Sequence, residues 1–261
     1  MSEGQITLER DEALAILTIR RPEKLNSITH AMSRQLFDHL DVINDDDGIR
    51  VLIIASEGER AFSAGSDVAT LDEYGSLWRM RNRALHRNDY IDALRRCPKP
   101  MIAEIDGIAY GGGLEIACIA DIRVATPESR FAAAEIKLGW HAGSGQTQYL
   151  PRLIGYGNAL KMLLTGDPID AGEAHRMGLV QDVVPREQLR ATTLAMARSI
   201  ASNAPIAVQL TKHIVRQGMT LPLESALAWE NDLFTYVMST EDAAEGQAAF
   251  KERRPPRFTG A

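Results

Sequence analysis

The sequence has few of the features that mark secreted or membrane proteins. Only two of its 261 residues are cysteines, Cys97 and Cys118, and their separation fits neither a multi-bridge disulfide framework nor a zinc-knuckle spacing. No uncharged apolar run approaches the roughly 18 residues that a membrane span needs. The acidic N-terminus lacks the apolar stretch of a signal peptide. We therefore expect a cytoplasmic chain without a leader, and with both thiols reduced.

Basic residues are also fewer than acidic residues. The chain has 29 Lys and Arg residues against 35 Asp and Glu residues, a formal net charge of -6. The whole chain therefore offers no electrostatic attraction to nucleic acid or to an anionic membrane surface. Its six histidines are scattered and form no pairing of the H-E-x-x-H kind, so we expect no bound metal.

Three common motifs of nucleotide-binding proteins and hydrolases are missing. No Gly-Lys dipeptide occurs, which excludes a Walker A loop, and neither 111–113 nor 155–157 is followed by the third glycine of a dinucleotide fingerprint. Ser144 has a glycine on either side but lacks the two outer glycines of a nucleophile elbow. These absences argue against both phosphate-cradling loops and against a serine hydrolase of that class.

The composition and the apolar pattern are those of a soluble α/β protein. Hydrophobic residues make up 45% of the chain and charged residues 25%, enough for a sizeable core. Apolar residues at helical spacing follow Thr29, a candidate N-cap, and a small-residue helix is predicted near 114–120. Short runs rich in branched residues predict strands, and they span 13–19, 51–55, 101–105 and 122–125.

The last part of the chain is predicted to be entirely helical. After Glu187 the strand signals stop, and apolar residues recur at helical spacing in four stretches: 189–200, 206–215, 223–238 and 243–250. One of these helices carries more apolar surface than a lone surface helix normally does, so we expect it to pack against the core or another subunit. We divide the chain into an α/β core, 1–200, and a C-terminal helical region, 201–261.

Two glycine-containing loops, 61–67 and 105–115, each follow a predicted strand. Glycine lets the backbone approach a ligand closely, and the first N–H groups of a helix are unpaired donors at the positive end of its dipole. Two such loops together can form an oxyanion hole.

These two loops, together with 131–139 and 143–147, resemble the signature of the enoyl-CoA hydratase/isomerase (crotonase) family. The resemblance extends from 21–26 to 249–253 and so covers nearly the whole chain. It implies a spiral of ββα units with a C-terminal helical trimerisation region, assembled as a homotrimer or a hexamer of two trimers. Residues 1–200 would then be the catalytic core and 201–261 the oligomerisation region. It also implies a coenzyme A thioester as substrate and no permanently bound cofactor.

The resemblance assigns roles to five residues. The backbone N–H groups of Ser66 and Gly112 would hold the thioester oxygen. Hydratases of the family are similar to one another in having two glutamates, which match Glu115 and Glu135 here. Glu115 would orient and deprotonate a water, Glu135 would deliver a proton to the α-carbon, and the Gly143 N–H would contact the water. Two such groups suit a reaction in which water loses a proton while carbon gains one.

The remaining expectations concern substrate binding. The resemblance places coenzyme A against Lys24, Leu25, Ser66, Asp67, Val68, Ala69 and Lys251. The segment 71–90, which includes Tyr74, is expected to line the acyl end, and its apolar spacing predicts a helix. Trp140 and His141 stand where many hydratases have an Ile-Pro-Gly-like step. We interpret His141 as a wall residue of the pocket rather than an added acid or base.

Other reactions use the same scaffold. Double-bond isomerisation, dehalogenation, thioester hydrolysis and carbon–carbon cleavage all pass through a stabilised enolate or oxyanion, but retention of both glutamates favours hydration. An RNA-binding protein is disfavoured by the acidic charge and the lack of a lysine-rich helix. A structural paralogue without activity is disfavoured because the glycine triplet and both carboxylates are present.

Overall fold

Two β-sheets form the centre of the protein, which we describe from a computed structural model covering residues 4–70, 75–87 and 89–261. The strands are β1 (Gln5–Asp11), β2 (Leu14–Arg20), β3 (Val51–Ser56), β4 (Ala61–Ser63), β5 (Met101–Ile105), β6 (Ile108–Tyr110), β7 (Ile122–Ala125), β8 (Arg130–Ala132), β9 (Ile169–Asp170) and β10 (Asp182–Val183). The larger sheet has six of them in the order β1-β2-β3-β5-β7-β10, and the smaller has four in the order β4-β6-β8-β9.

From β3 to β8, consecutive strands alternate between the two sheets. β3, β5 and β7 belong to the large sheet, and the strand that follows each of them, β4, β6 or β8, belongs to the small one. Helical segments connect one pair to the next. The neighbours β3, β5 and β7 are parallel, as are β4, β6 and β8. This repetition is the spiral of ββα units that the family resemblance implies, so the fold prediction is confirmed.

The helices fill the outside of the spiral and the C-terminal part of the chain. They are α1 (His30–Asp45), α2 (Leu77–Arg81), α3 (Tyr90–Arg96), α4 (Gly112–Ile119), α5 (Gln146–Ile154), α6 (Tyr156–Thr165), α7 (Ala171–Arg176), α8 (Arg186–Ala201), α9 (Pro205–Gly218), α10 (Leu223–Val237) and α11 (Glu241–Glu252). The predicted cap is present, because the Thr29 side chain accepts the Met32 N–H at the start of α1. No helix within the described ranges is long and apolar enough to cross a bilayer.

Both faces of the large sheet are covered. Leu52 and Ile54 of β3 pack into the main core with α1, while Ile53 of the same strand packs on the other face against Leu189 and Ala197 of α8. A parallel strand that is buried on both faces reads as an unbroken apolar run. That is why the sequence predicted these central strands well.

Two local predictions need correction. The strand β1 was not predicted, because it is an edge strand in which only Ile6 is buried, and it pairs antiparallel with β2. The predicted helix over 71–90 is not continuous: α2 and a 3₁₀ turn at Arg83–His86 are short, and Arg87 is left-handed with φ 54°. Residues 71–74, including Tyr74, lie outside the described residues.

Helix α4 is held at its C-terminal end by a buried arginine. Arg123 of β7 is 2% exposed, and its Nη1 donates to the carbonyls of Ala117 and Ala120 at 2.9 and 2.6 Å. Its Nε donates to the Leu179 carbonyl. The last carbonyls of a helix lack intrahelical partners and carry partial negative charge, so a cation is well placed there. Arg123 therefore fixes α4 to the large sheet.

We predict that Arg123→Met lowers the free energy of unfolding by about 3 kcal/mol, because buried carbonyls lose their donors at about 1–3 kcal/mol each. Denaturant unfolding would measure the change. Arg60→Met, at an exposed arginine, is the control and should change stability by less than about 0.5 kcal/mol. Equal losses in both variants would contradict the anchoring role.

Candidate active site

Three adjacent parallel strands end at one edge of the small sheet and place the predicted site residues there. β4 leads into the loop that carries Ser66, β6 leads into α4 at Gly112, and β8 leads into a 3₁₀ turn that carries Glu135. Because β4, β6 and β8 are parallel neighbours, their carboxyl ends meet. Ligand sites commonly form at this end of parallel strands.

The two glycine loops touch each other through their backbones. Gly65 has φ +93°, and a Cβ there would lie 2.5 Å from the Gly112 nitrogen. A Cβ at Gly113 would lie 2.0 Å from the carbonyl oxygen of Ser63. Side chains at these positions would separate the loops. The close approach is therefore what brings Ser66 and Gly112 to one place.

Among the described residues, no hydrogen bond engages the backbone N–H of either candidate oxyanion donor, Ser66 or Gly112. Ile28 donates its N–H to the Gly65 carbonyl, and its own carbonyl accepts the Asp67 N–H. These two hydrogen bonds use the residues on either side of Ser66 and do not involve the Ser66 N–H. Gly112 is the first residue of α4, and the first N–H groups of a helix have no intrahelical acceptor. The helix dipole adds positive potential at Gly112.

Residues 21–26, which we call the strap, support the loop that carries Ser66. The Leu25 carbonyl accepts the Ala64 N–H at 2.9 Å. Asn26 is buried, and its amide donates to the carbonyls of Glu57 and Ala61 at 2.9 and 2.7 Å. Below the loop, Arg21 pairs with Asp67 at 2.7 Å. The predicted residues Leu25 and Asp67 thus hold the loop in place.

A cavity of about 480 Å³ opens beside the two donors. Most of its lining is apolar, and two carboxyl groups and an arginine also face it. Its lining consists of Ala64, Ser66, Val68, Met80, Arg83, Gly111, Gly112, Glu115, Ala134, Glu135, Leu138, Trp140, His141, Gly143 and Ser144.

Glu115 lies one turn into α4 and is only 6% exposed. Burial, reinforced by the charges of Glu135 and Asp89, raises the pKa of Glu115 to about 8. Arg83 and a hydrogen bond from the Gly143 N–H oppose that rise in pKa. A carboxyl with such a pKa can take up or release a proton near neutral pH.

Glu135 faces the same cavity from the 3₁₀ turn. A Cβ built on Gly111 would lie 3.5 Å from its Oε1, so the carboxyl stands beside the start of α4. Its Oε2 is buried and has no hydrogen-bond partner among the described residues. Burial raises the pKa of Glu135. Because like charges disfavour each other, the two carboxyls together retain a proton more strongly than two exposed glutamates would.

The chain matches the family model described as Enoyl-CoA hydratase/isomerase over residues 9–261. The chain belongs to the enoyl-CoA hydratase/isomerase family. It is 36% identical to a protein named crotonyl-CoA hydratase from Syntrophomonas wolfei, with 99% of each chain covered. It is 39% identical to (E)-benzylidenesuccinyl-CoA hydratase from Thauera aromatica, with 98% and 99% covered. The crystal structure of an enoyl-CoA hydratase from Bacillus anthracis superposes with a TM-score of 0.91 at 35% identity, covering 98% and 99% of the chains.

The structure brings most of the predicted site residues of this family together. Those that line the cavity are Ser66, Val68, Gly112, Glu115, Glu135, Trp140, His141 and Gly143. Lys24, Leu25, Asp67 and Ala69 lie next to it, on the strap and the loop, but do not line it. Lys251 is exposed on α11 and does not line it either. Its contact with coenzyme A stays a prediction.

Trp140 and His141 form part of the cavity wall, as expected from their place before Gly143. The His141 Nδ1–H donates to the carbonyl of Ala142 at 2.8 Å, which fixes the ring against its own loop. Trp140 is about half exposed and presents an apolar surface. This arrangement agrees with a wall role for both residues. Within the described residues, no group of three or more metal-binding side chains is found.

Tyr90 was missed by the sequence analysis. It begins α3, and its hydroxyl lies 3.1 Å from Ser66 Oγ. A Cβ on Gly112 would lie only 2.0 Å from the same hydroxyl oxygen. Tyr90 thus contacts both candidate oxyanion residues and requires glycine at position 112. No motif marks it, because its role comes from a contact between residues 24 positions apart.

We predict that Gly112→Ala destabilises the protein by about 2 kcal/mol, as overpacked sites do, and that adding Tyr90→Phe recovers part of this loss. Without the hydroxyl, the nearest remaining atoms to the new Cβ are at 3.1–3.2 Å. The free energies of unfolding of the two single variants and the double variant would measure the coupling. Gly157→Ala in α6, where a Cβ meets nothing within 4 Å, is the control. Additive losses in the double variant would refute the contact.

Proposed function

We propose that this protein is an enoyl-CoA hydratase, which adds water across the 2,3 double bond of a trans-2-enoyl-CoA thioester. One observation carries the proposal: two carboxyls with raised pKa, the buried Glu115 and the half-buried Glu135, face a cavity beside two backbone N–H donors. Family membership agrees with this activity, as do the names of the similar proteins.

The first step is activation of the thioester. Its carbonyl oxygen accepts the N–H groups of Ser66 and Gly112, and these bonds strengthen as the oxygen gains enolate charge. One donor of this kind is typically worth about 3–4 kcal/mol of transition-state stabilisation. Withdrawal of electrons by the carbonyl makes the β-carbon open to attack by water.

The two glutamates handle the protons. A water held by Glu115 and the Gly143 N–H gives a proton to Glu115 as its oxygen bonds to the β-carbon. Glu135 gives its proton to the α-carbon, where the enolate electrons return. Glu115 ends protonated and Glu135 ionised, so one proton must pass back between them, or through solvent, before the next turnover. Two carboxyls that jointly retain a proton suit this cycle.

The acyl group has an apolar wall to contact. Val68, Met80, Leu138 and Trp140 are each partly or largely exposed and line the cavity, and they offer the surface that an alkyl or aryl chain would cover. The coenzyme A carrier is placed along 66–69, with Lys24 and Lys251 available for its phosphates. No permanently bound cofactor is needed for this reaction.

We predict that Glu115→Gln and Glu135→Gln each lower kcat for hydration of a short trans-2-enoyl-CoA by about 10²–10⁴-fold, the usual contribution of a general acid or base. Loss of the conjugated-thioester absorbance reports the reaction. Glu128→Gln, at an exposed glutamate, should keep the wild-type rate. A wild-type protein that binds the thioester without any loss of absorbance would refute hydration. A wild-type protein that instead moves the double bond of a 3-enoyl-CoA would point to isomerisation.

The C-terminal helices support the proposed homotrimer or hexamer. No residue of α9 or α10 is buried within the chain. Several large apolar side chains of this region are exposed, among them Leu223, Leu227, Phe234 and Met238. Exposed apolar surface of this extent is typical of a protein interface. We place the assembly in the cytoplasm.

We expect Leu227→Asp combined with Phe234→Asp to dissociate the oligomer, because two charges would have to be buried in an apolar interface. Sedimentation velocity of wild type and variant gives the mass of each. Val42→Asp, at an exposed valine of α1, should sediment as the wild type does. A monomeric wild-type protein would contradict the assembly.

A further inference from the structure

We propose that Arg83 is a positioning residue of this site: it tethers the loop that carries Gly143 over Glu115 and stabilises negative charge on Glu115 while water is activated. The inference rests on the proposed hydratase function. It concerns a residue of the 3₁₀ turn Arg83–His86, for which the family resemblance assigns no role.

Arg83 joins two segments that are distant in sequence. Its Nη2 donates to Ser144 Oγ at 3.0 Å, and its Nε pairs with Asp89 Oδ2 at 3.1 Å. Asp89 is itself fixed, because its other oxygen caps α3 by accepting the Asp92 N–H at 3.1 Å. The guanidinium is therefore oriented from one side by the start of α3 and reaches the Gly143–Ser144 loop on the other.

The loop that receives this bond is the one that contacts Glu115. Residues 140–145 form neither helix nor strand, so side-chain contacts must help to fix them. A Cβ built on Gly143 would lie 3.7 Å from Arg83 Nη2 and 4.0 Å from Glu115 Oε1. Gly143 thus lies between the guanidinium and the carboxyl, and its N–H donates to Glu115. A shift of this loop would move the water away from the β-carbon.

The charges around Glu115 are unequal. Glu135 on the 3₁₀ turn and Asp89 before α3 disfavour negative charge on it, and Arg83 favours that charge. Cys118 lies one turn further along α4, and His141 lines the cavity from its own loop. Among the cavity-lining residues that the structure describes, Arg83 is the only lysine or arginine. It is the cation best placed to stabilise ionised Glu115.

This placement answers a question that the two-glutamate mechanism raises. Hydration needs negative charge on Glu115 and a proton on Glu135 at the moment of attack, yet Glu115 is the more deeply buried of the two. Arg83 is among the groups that lower the pKa of Glu115, whereas burial alone accounts for the raised pKa of Glu135. Arg83 therefore biases the shared proton toward Glu135, which is the arrangement that hydration requires.

The test compares pH profiles of kcat/KM for hydration in four variants. In Arg83→Gln the acid limb should move to higher pH, because Glu115 loses its stabilising cation, and kcat at neutral pH should fall about tenfold or more, as misplaced catalytic groups do. In Asp89→Asn the limb should move to lower pH, because a like charge is gone while asparagine still caps α3. Arg83→Lys keeps the positive charge, so the acid limb should stay at its wild-type pH. Ser144→Ala should lower kcat without moving the limb.

Opposite shifts of the limb in Arg83→Gln and Asp89→Asn are the result that supports the proposal, since a merely structural defect would move neither limb. Arg96→Gln, at an exposed arginine of α3, is the control and should match wild type. Unchanged limbs in both charge variants, in proteins with wild-type melting temperatures, would overturn the proposal.

A second measurement does not depend on turnover. Titration of the Glu115 carboxyl by ¹³C NMR should give a higher pKa in Arg83→Gln and a lower one in Asp89→Asn, and amide hydrogen exchange at 143–145 should quicken in Arg83→Gln and Ser144→Ala. If the wild type hydrates no enoyl thioester, the proposed function fails, but these two readouts still decide whether Arg83 positions the loop and charges Glu115. Equal titration and exchange in all variants would refute it.

Discussion

The contact between the backbones of Gly65 and Gly112 is the constraint on which the site depends. A Cβ at Gly65 would lie 2.5 Å from the Gly112 nitrogen, so the two loops approach more closely than any other residue would allow. This contact brings together the N–H groups of Ser66 and Gly112, which have no hydrogen-bond partner among the described residues, and it forms because β4 and β6 are parallel neighbours. β4 and β6 are neighbours in the small sheet because β5, which lies between them in sequence, belongs to the large sheet.

Helix α4, which begins at Gly112, is buried along its whole length. All eight of its residues are buried, including Glu115, because its first turn lies under the cavity and its last turn rests on Arg123. Burying a carboxyl in an apolar helix costs stability, and the raised pKa of Glu115 expresses that cost. The anchoring of α4 at its C-terminal end by Arg123 allows the protein to tolerate a chemically useful but unfavourable group near its N-terminal end.

The sequence predicted those parts of the molecule whose signal is local. The central strands are continuous apolar runs because both faces are buried, and the glycine loops and paired glutamates stand in a recognisable order. Other features have no such signal. β4, β6 and β8 are three residues each, too short for a pattern to emerge. Tyr90 and Arg83 act through partners that only folding brings near, Arg83 across 61 positions to Ser144, so neither could be found from spacing alone.

The glycines and glutamates of the site differ from Tyr90 and Arg83 in the part of the fold that positions them. The candidate oxyanion glycines and the two glutamates follow the ends of β4, β6 and β8, so the spiral itself sets where they lie. Tyr90 and Arg83 come from the segment between β4 and β5, which packs against the finished site from outside. A substitution there leaves the strands intact, yet it alters the contact with Ser66 and Gly112 or the charge beside Glu115. In the proposed mechanism, the rate and pH range of the reaction can therefore be tuned without a change of fold, because Tyr90 and Arg83 lie on a segment that the sheets do not require.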